Sequence, residues 1–340
     1  MSVKFGNVEL LHGLMLAPMA GVTDRSFRRL CHANGSEYAV SEMVSAKALC
    51  YEQQGKRRES TLMGTAPLAS LTAAEGPMAI QLFGKDPEFM AEAARMLESS
   101  SYRGCTSEVP PVAIDINMGC PMRKITGNGE GSALMRTPEL AGRVCEAVVR
   151  AVKLPVTVKI RAGWDSESIN APEVAKILEA AGASLICVHA RTREQLYAPG
   201  IDLKVIEAVK RSVSIPVVGN GDILCGDDAI NMINATGCDG VMIGRGAMGD
   251  PWIFSEICAK LEGREYERPS IHERLDTAID QLDSTIAHKG ERVGLAEGKK
   301  HMAWYLTGVR GAASSRHAIM TAKDRDEIVA ILNEIKKENS

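Results

Sequence analysis

Aromatic residues are scarce in this 340-residue chain: Phe, Trp and Tyr make up 4 % of it, against 45 % apolar residues in all. A core with so few rings must be filled by Val, Ile, Leu, Met and Ala, the mixture usual in soluble α/β proteins. Metal-binding cysteine spacing is missing too. The nine cysteines, at 31, 50, 105, 120, 145, 187, 225, 238 and 258, include no Cys-x-x-Cys pair and have no His-x-x-x-His companion. Their odd number and scatter fit a reducing cytoplasm, so neither a metal nor a disulfide framework is expected. No apolar run approaches the roughly 18 residues of a membrane span, and the opening MSVKFGNVELLHG lacks the basic head and apolar stretch of a secretion signal. A soluble cytoplasmic protein without a membrane partner is expected. Charge of one sign is lacking as well: 40 Lys and Arg against 43 Asp and Glu leave a formal charge of −3, which gives no global footprint for nucleic acid.

What is present is a rhythm. Short apolar, β-branched runs recur as LMLAP (14–18), YAVSEM (38–43), MAIQLFG (78–84), VAIDINMG (112–119), VTVKIRAG (156–163), LICVHA (185–190), VVGNGD (217–222) and GVMIGRG (240–246). Helical patterns such as 86–100, 137–153 and 202–212 lie between them, opened by Asp or Thr in N-cap positions. Eight strand–helix repeats predict a (β/α)8 TIM barrel, a fold that uses about 250 residues in one domain. Residues 55–77 and 100–111, richer in Gly, Ser, Thr and Pro, are expected to be loop insertions. After about residue 260 strand signals stop, and amphipathic stretches near 271–289, 293–306 and 323–337 predict a small C-terminal helical domain. The expected division is 1–258 and 262–340.

In such barrels the active site lies at the carboxyl ends of the strands. Polar residues at the ends of the apolar runs are therefore candidates: Pro18-Met19, Ser41-Glu42, Gln81, Asn117 to Cys120, Lys159 and Arg161, His189 and Arg191, Asn220-Gly221-Asp222, and Gly244-Arg245-Gly246. Free cysteine usually packs as a small hydrophobe, but Cys120 sits in a turn that follows a strand. The glycine loops GNGD (219–222) and IGRG (243–246) follow strands seven and eight, the recurrent phosphate-binding corner of this fold, where a helix N-terminus and Arg245 would assist. Lys159 ends a strand at the mouth, where a buried cation needs an anionic partner. A reduced flavin, negative along its N1–C2 edge, supplies one, and Gln81 and His189 could bond the ring's polar edge. The alternative is a core lysine paired with Asp115 or Glu42.

Taken together, APMAGVTD (17–24), SEM (41–43), INMGCP (116–121), VKIRAGW (158–164), VHARTR (188–193), GNGD and IGRGAMGDPWIF (243–254) resemble one family, the tRNA-dihydrouridine synthases, most of all their bacterial B-type branch. The resemblance spans roughly 13–320, with KKHMAWYL (299–306) matching the family's helical domain. It implies an FMN enzyme that reduces a specific D-loop uridine of tRNA with NADPH. It further implies FMN contacts at Pro18, Met19, Ala20, Gln81, Lys159 and His189, a phosphate site at Asn220, Gly221, Asp222, Gly244 and Arg245, a uracil contact at Asn117 and a proton donor at Cys120. One departure is HARTR, where Ala190 replaces a glycine; it is tolerated unless that backbone has positive φ.

Arg161 and Arg191 are further candidate substrate contacts. Between Lys289 and Arg325 eight Lys and Arg stand against three acidic residues. Charge alone fits a solvated helix face; beside the resemblance, Lys299, Lys300, Arg310 and Arg316 become expected contacts to RNA phosphates. Trp304 and Tyr305 are expected in the core. The rival readings are another FMN barrel acting on a free small molecule, of the dihydroorotate dehydrogenase or ene-reductase kind, and a catalytically silent RNA-binding protein. A monomer is the default expectation.

Overall fold

The computed structural model describes residues 2–55 and 65–339, so part of the expected insertion at 55–77 lies outside the described residues. The chain opens with an element the sequence reading did not anticipate. β1 (Val3–Phe5) and β2 (Val8–Leu10) pair antiparallel around a two-residue Gly6-Asn7 turn, and Gly6 adopts φ 53°. Val3, Phe5, Val8 and Leu10 are all buried, each worth about 1.5–3 kcal/mol.

Parallel strands follow: β3 (Leu14–Leu16), β4 (Tyr38–Val40), β5 (Val44–Ser45), β6 (Met78–Phe83), β7 (Ala113–Met118), β8 (Val156–Gly163), β9 (Leu185–Thr192), β10 (Val217–Asn220) and β11 (Gly240–Ile243). β4 is the first half of the strand expected at 38–43, and β5 continues it beyond Met43. Val40 pairs with Ala79 and Val44 with Leu82, so one extra residue is absorbed at Ser41-Glu42-Met43. β11 pairs with β3 and β4 with β6, which closes eight staves into a barrel. The expected (β/α)8 architecture is present.

Alternation along parallel strands decides the interior, since every second side chain points inward. At the foot, Met15, Tyr38, Ala79, Ala113, Leu185 and Val218 form one apolar cluster with the β1–β2 hairpin, which plugs that end. Continuing by twos along the same strands reaches Gln81, Asp115, Asn117, His189 and Asn220. The inner wall therefore turns from apolar to polar toward the carboxyl ends. A second, larger core joins the outer faces of the strands to the surrounding helices.

The C-terminal region holds four helices, Ile271–Lys289, Glu291–Tyr305, Ala312–Thr321 and Arg325–Glu338. The third was not expected, because only Ala312 and Ile319 of its ten residues are buried and its apolar stripe is thin. Their shared core includes Leu275, Leu282, Met302, Tyr305, Ile319 and Leu332. Among the described residues no helix is long and apolar enough to cross a membrane.

This helical unit docks on the barrel around Asp24. Asp24 caps the helix Arg25–Ala33 by accepting from the Phe27 amide at 3.0 Å, and its other oxygen meets Lys289 Nζ at 2.8 Å. His301 is buried beside them, its Nδ1 2.8 Å from Gln281 Nε2 and its ring 5.2 Å from that of Phe27. Burial holds the His301 pKa down at about 4 from an ordinary 6.5, although Asp24 and Glu297 favour the charged form. The unfolded chain then binds the proton more readily, so stability is full above pH 6.5 and declines as pH falls toward about 4. Urea unfolding midpoints measured across that window should fall, and His301→Gln should flatten this part of the profile.

Candidate active site

At the carboxyl ends of the strands the barrel opens into a cavity of about 510 Å³. Pro18, Met19, Ala20, Gln81, Asn117, Cys120, Lys159, Arg161, His189, Arg191, Asn220, Gly221, Asp222, Gly244 and Arg245 all line it. The structure thus gathers most of the barrel residues expected at the site into one place; Ser41, Glu42 and Met118 do not line it, since Ser41 Oγ donates to the Glu42 carbonyl at 2.9 Å, Glu42 accepts the Gly21 amide at 2.5 Å and Met118 is buried in the core. Tyr197 also lines it and was missed; it lies in the loop after β9, with its ring 5.9 Å from the Arg161 guanidinium and 5.1 Å from that of Arg245. A lone tyrosine between polar loop residues carries no periodic signal.

The floor is a hydrogen-bonded chain across three strands. Register sets Gln81 beside Asp115 and Asp115 beside Thr157. Thr157 Oγ1 donates to one Asp115 oxygen at 2.5 Å and Gln81 Nε2 to the other at 2.7 Å. Gln81 Oε1 accepts from Asn117 Nδ2 at 2.8 Å, and Asn117 Oδ1 accepts the amides of Gly119 at 3.2 Å and Cys120 at 2.9 Å. Burial raises the Asp115 pKa to about 6 against these donors. The chain fixes the turn that carries Cys120. Burial also pushes the Cys120 thiol up, with Arg161 and Lys159 opposing. Cys120 is therefore protonated at neutral pH, able to give a proton and poorly suited to nucleophilic attack.

The walls are cationic. Lys159 Nζ donates to Asn220 Oδ1 at 3.0 Å, and Asn220 in turn donates to the Met242 carbonyl at 2.6 Å. Among the described residues no carboxylate lies within ion-pair distance of Lys159; the alternative of a lysine paired with Asp115 or Glu42 is not what the geometry shows. Burial lowers its pKa. Burial and the cations Lys159, Arg161, Arg191 and Arg245 together hold His189 neutral. Arg191 Nη1 lies 3.3 Å from His189 Nε2. Arginine only donates, so Nε2 accepts and the proton sits on Nδ1. A half-buried lysine with no counter-ion among the described residues, glycine loops and cations around a neutral imidazole fit an anionic, phosphate-bearing ring cofactor such as a flavin.

Two details of the phosphate corner differ from expectation. Asp222 was assigned to the phosphate, but its carboxylate accepts from Arg191 at 2.5 Å and Arg245 at 3.0 Å. A carboxylate repels a phosphate, so the side chain positions two arginines and only the Asp222 backbone is left for the anion. The expected helix N-terminus is also taken: Asp228 accepts the Leu224 and Cys225 amides, and Glu256 the Gly226 amide. The glycine loops and Arg245 remain. Ala190 lies within β9 without positive φ, so its replacement of glycine is accommodated.

The basic run divides. Lys299 donates to the Ala322 carbonyl, and Arg316 to the carbonyls of Ala303 and Leu306, both at 3.1 Å. Both are half-buried parts of the helical unit's own framework. Lys300 and Arg310 are exposed, as are Arg123 and Lys124 beside the Cys120 turn. Tyr305 is fully buried and Trp304 half-buried, with its ring 4.9 Å from that of His301. At the surface between the start of the barrel and its last helix, His12 Nδ1 lies 3.6 Å from Cys258 Sγ and Nε2 3.2 Å from Glu262 Oε1. The two ring nitrogens face different partners, and Cys258 Sγ also lies 3.6 Å from Glu262 Oε1, so the three side chains form a hydrogen-bonded cluster.

Over residues 15–340 the sequence matches the family profile described as Dihydrouridine synthase (Dus). It is 42 % identical over 323 residues to a Rickettsia conorii protein named probable tRNA-dihydrouridine synthase, covering 95 % of this chain and 92 % of that one. A Shewanella oneidensis protein named tRNA-dihydrouridine synthase B is 40 % identical over 306 residues, 89 % of each chain. Among solved structures, a variant of NCR from Zymomonas mobilis superposes with a TM-score of 0.52 at 13 % identity, covering 80 % of this chain and 94 % of that one. Histamine dehydrogenase from Rhizobium sp. 4-9 superposes with a TM-score of 0.53 at 14 % identity, covering 88 % and 50 %. At those identities the two structures bear on the fold alone.

The tightest point of the corner is Gly246, where a Cβ would lie 2.1 Å from the Ile223 carbonyl oxygen. Gly246→Ala should cost about 1–3 kcal/mol of stability and reduce flavin retention. A thermal melt and the visible absorbance of the purified protein check both.

Proposed function

The chain belongs to the dihydrouridine synthase family, and from that membership we propose that it reduces a D-loop uridine of transfer RNA to 5,6-dihydrouridine, with FMN held in the barrel mouth and NADPH as electron donor. The observation that carries this reading is a thiol, Cys120, sharing one cavity with Lys159, which has no ion-pair partner among the described residues. FMN would be held by Pro18, Met19, Ala20, Gln81, Lys159 and His189 along the ring, and by Asn220, Gly221, Gly244 and Arg245 at the phosphate. When bound and reduced it supplies a hydride to C6 of uracil.

The chain's own residues do the rest. Cys120 gives its proton to C5, and the thiolate left behind is stabilised by the charges of Arg161 and Lys159 until solvent reprotonates it. Asn117 spends its oxygen on the turn and one N–H on Gln81, which leaves the second N–H for a uracil carbonyl. Arg161 donates to the carbonyls of Gly119, Thr192 and Leu196, and so ties the Cys120 turn to the loop that carries Tyr197.

A uridine folded into tRNA must leave its stack to reach this cavity, at a cost of a few kcal/mol. In this reading the barrel is the catalytic domain and the helical region the RNA-gripping one, working in the cytoplasm, and one chain suffices. Lys300 and Arg310 supply phosphate contacts, with Arg123 and Lys124 beside the mouth. Lys299 and Arg316 act indirectly, by holding the helical domain together. A barrel acting on a free small molecule would share the cavity but would leave the docked helical domain without a role.

Cys120→Ala should retain FMN and NADPH oxidation and lose uridine reduction in tRNA, followed as dihydrouridine formed per NADPH consumed; unchanged turnover would remove the acid role. Lys300→Glu combined with Arg310→Glu should weaken tRNA binding and lower the slope of log K against log salt by about 2. Filter binding at several salt concentrations reads that slope.

A further inference from the structure

Two of the loops that line the cavity rest on the helical domain. The first is 18–24, in which Met19, Ala20 and Val22 face the cavity. Thr23 Oγ1 accepts the Met19 amide at 2.9 Å and so ties the loop back on itself, and Asp24 closes the loop at its C-terminal end. Asp24 is 4 % exposed and meets Lys289 Nζ at 2.8 Å, while the same ammonium reaches Glu297 at 2.5 Å. Lys289 ends one helix of the helical domain and Glu297 belongs to the next. The second loop is 244–250, where Gly249 packs so closely that a Cβ would lie 2.4 Å from the Trp304 carbonyl carbon. Met248, its neighbour, lines the cavity.

We infer that Lys289 is a positioning residue for the cofactor, and that through its grip on Asp24 the binding of FMN and of tRNA are energetically coupled. The inference rests on the function proposed above. Lys289 lines neither the cavity nor an exposed basic face, so its charge serves neither ligand directly. It neutralises a buried carboxylate that both caps the helix Arg25–Ala33 and ends the cofactor loop. RNA that fixes the helical domain therefore also fixes that loop, and linkage requires the effect to be reciprocal.

The experiment uses the full-length protein, FMN and an unmodified tRNA transcript. FMN affinity is measured by flavin fluorescence with and without tRNA, and tRNA affinity with and without FMN. The wild type should show the same coupling factor in both directions, about 5-fold or more. Lys289→Gln should lower FMN affinity and abolish the coupling, and Lys289→Arg should restore part of it. Asp24→Asn keeps a good helix cap but loses the ion pair, so it should match Lys289→Gln, and the double variant should be no worse than either. A wild type that binds both ligands without coupling, or losses that add in the double variant, would overturn the inference and leave the proposed function standing. A wild type that takes up no FMN overturns the function and the inference together.

Discussion

A closed parallel barrel imposes one constraint from which the rest of this structure follows: every inward side chain belongs to the same parity of its strand, and all strands run the same way. A change of residue chemistry along each strand therefore becomes a change of layer in space. Here the foot is apolar and sealed by the β1–β2 hairpin, and the next inward positions are Gln81, Asp115 and Thr157, which must satisfy one another because no water replaces them cheaply. Their hydrogen-bonded chain ends on the amide of Cys120. The chemistry at the mouth is thus held from below, by the core, as much as by the loops around it.

The same layering sets the electrostatics. Lys159, Arg161, Arg191 and Arg245 converge where carboxylates are few, and Asp222 is used to orient two of them. In that field a second proton on His189 is disfavoured and negative charge is welcome. Burial acts on Cys120 in the opposite sense, raising its pKa so that the thiol keeps its proton. One cavity thereby combines attraction for an anion with a thiol acid, two properties that compete in water and coexist here because desolvation and fixed charge act on different atoms.

Much of this was legible in the sequence because strand ends in a barrel are position markers. The apolar runs located the staves, and the polar residues that closed them located the cavity, down to Lys159 and His189. What escaped was whatever depends on partners distant in the chain. The hairpin was overlooked although VKFGNVEL alternates around Gly6-Asn7, because three-residue strands fall below the length at which periodicity speaks. Asp222 was read as a ligand contact, since nothing in GNGD reveals that two arginines would claim its carboxylate. Lys299 and Arg316 counted as surface charge, but a long side chain can turn back to a carbonyl, and composition does not record which way it turns.

The partition of that basic run bears on the RNA recognition proposed above. A uniformly charged face would attract any polyanion, whereas here half of the cations expected to meet RNA are spent on carbonyls inside the helical domain and Lys289 on Asp24 at the barrel. Arg292, Lys300, Arg310 and Lys323 remain exposed, so only part of the run is left to supply charge to a polyanion. In the proposed reading shape adds to charge, because the helical domain docks against the cavity loops through buried contacts at Asp24, His301 and Gly249. On the function proposed above, that docking geometry would do the selecting: the energy to unstack a base is the same order at many positions, and the placement of the helical domain relative to the cavity decides which of them can enter.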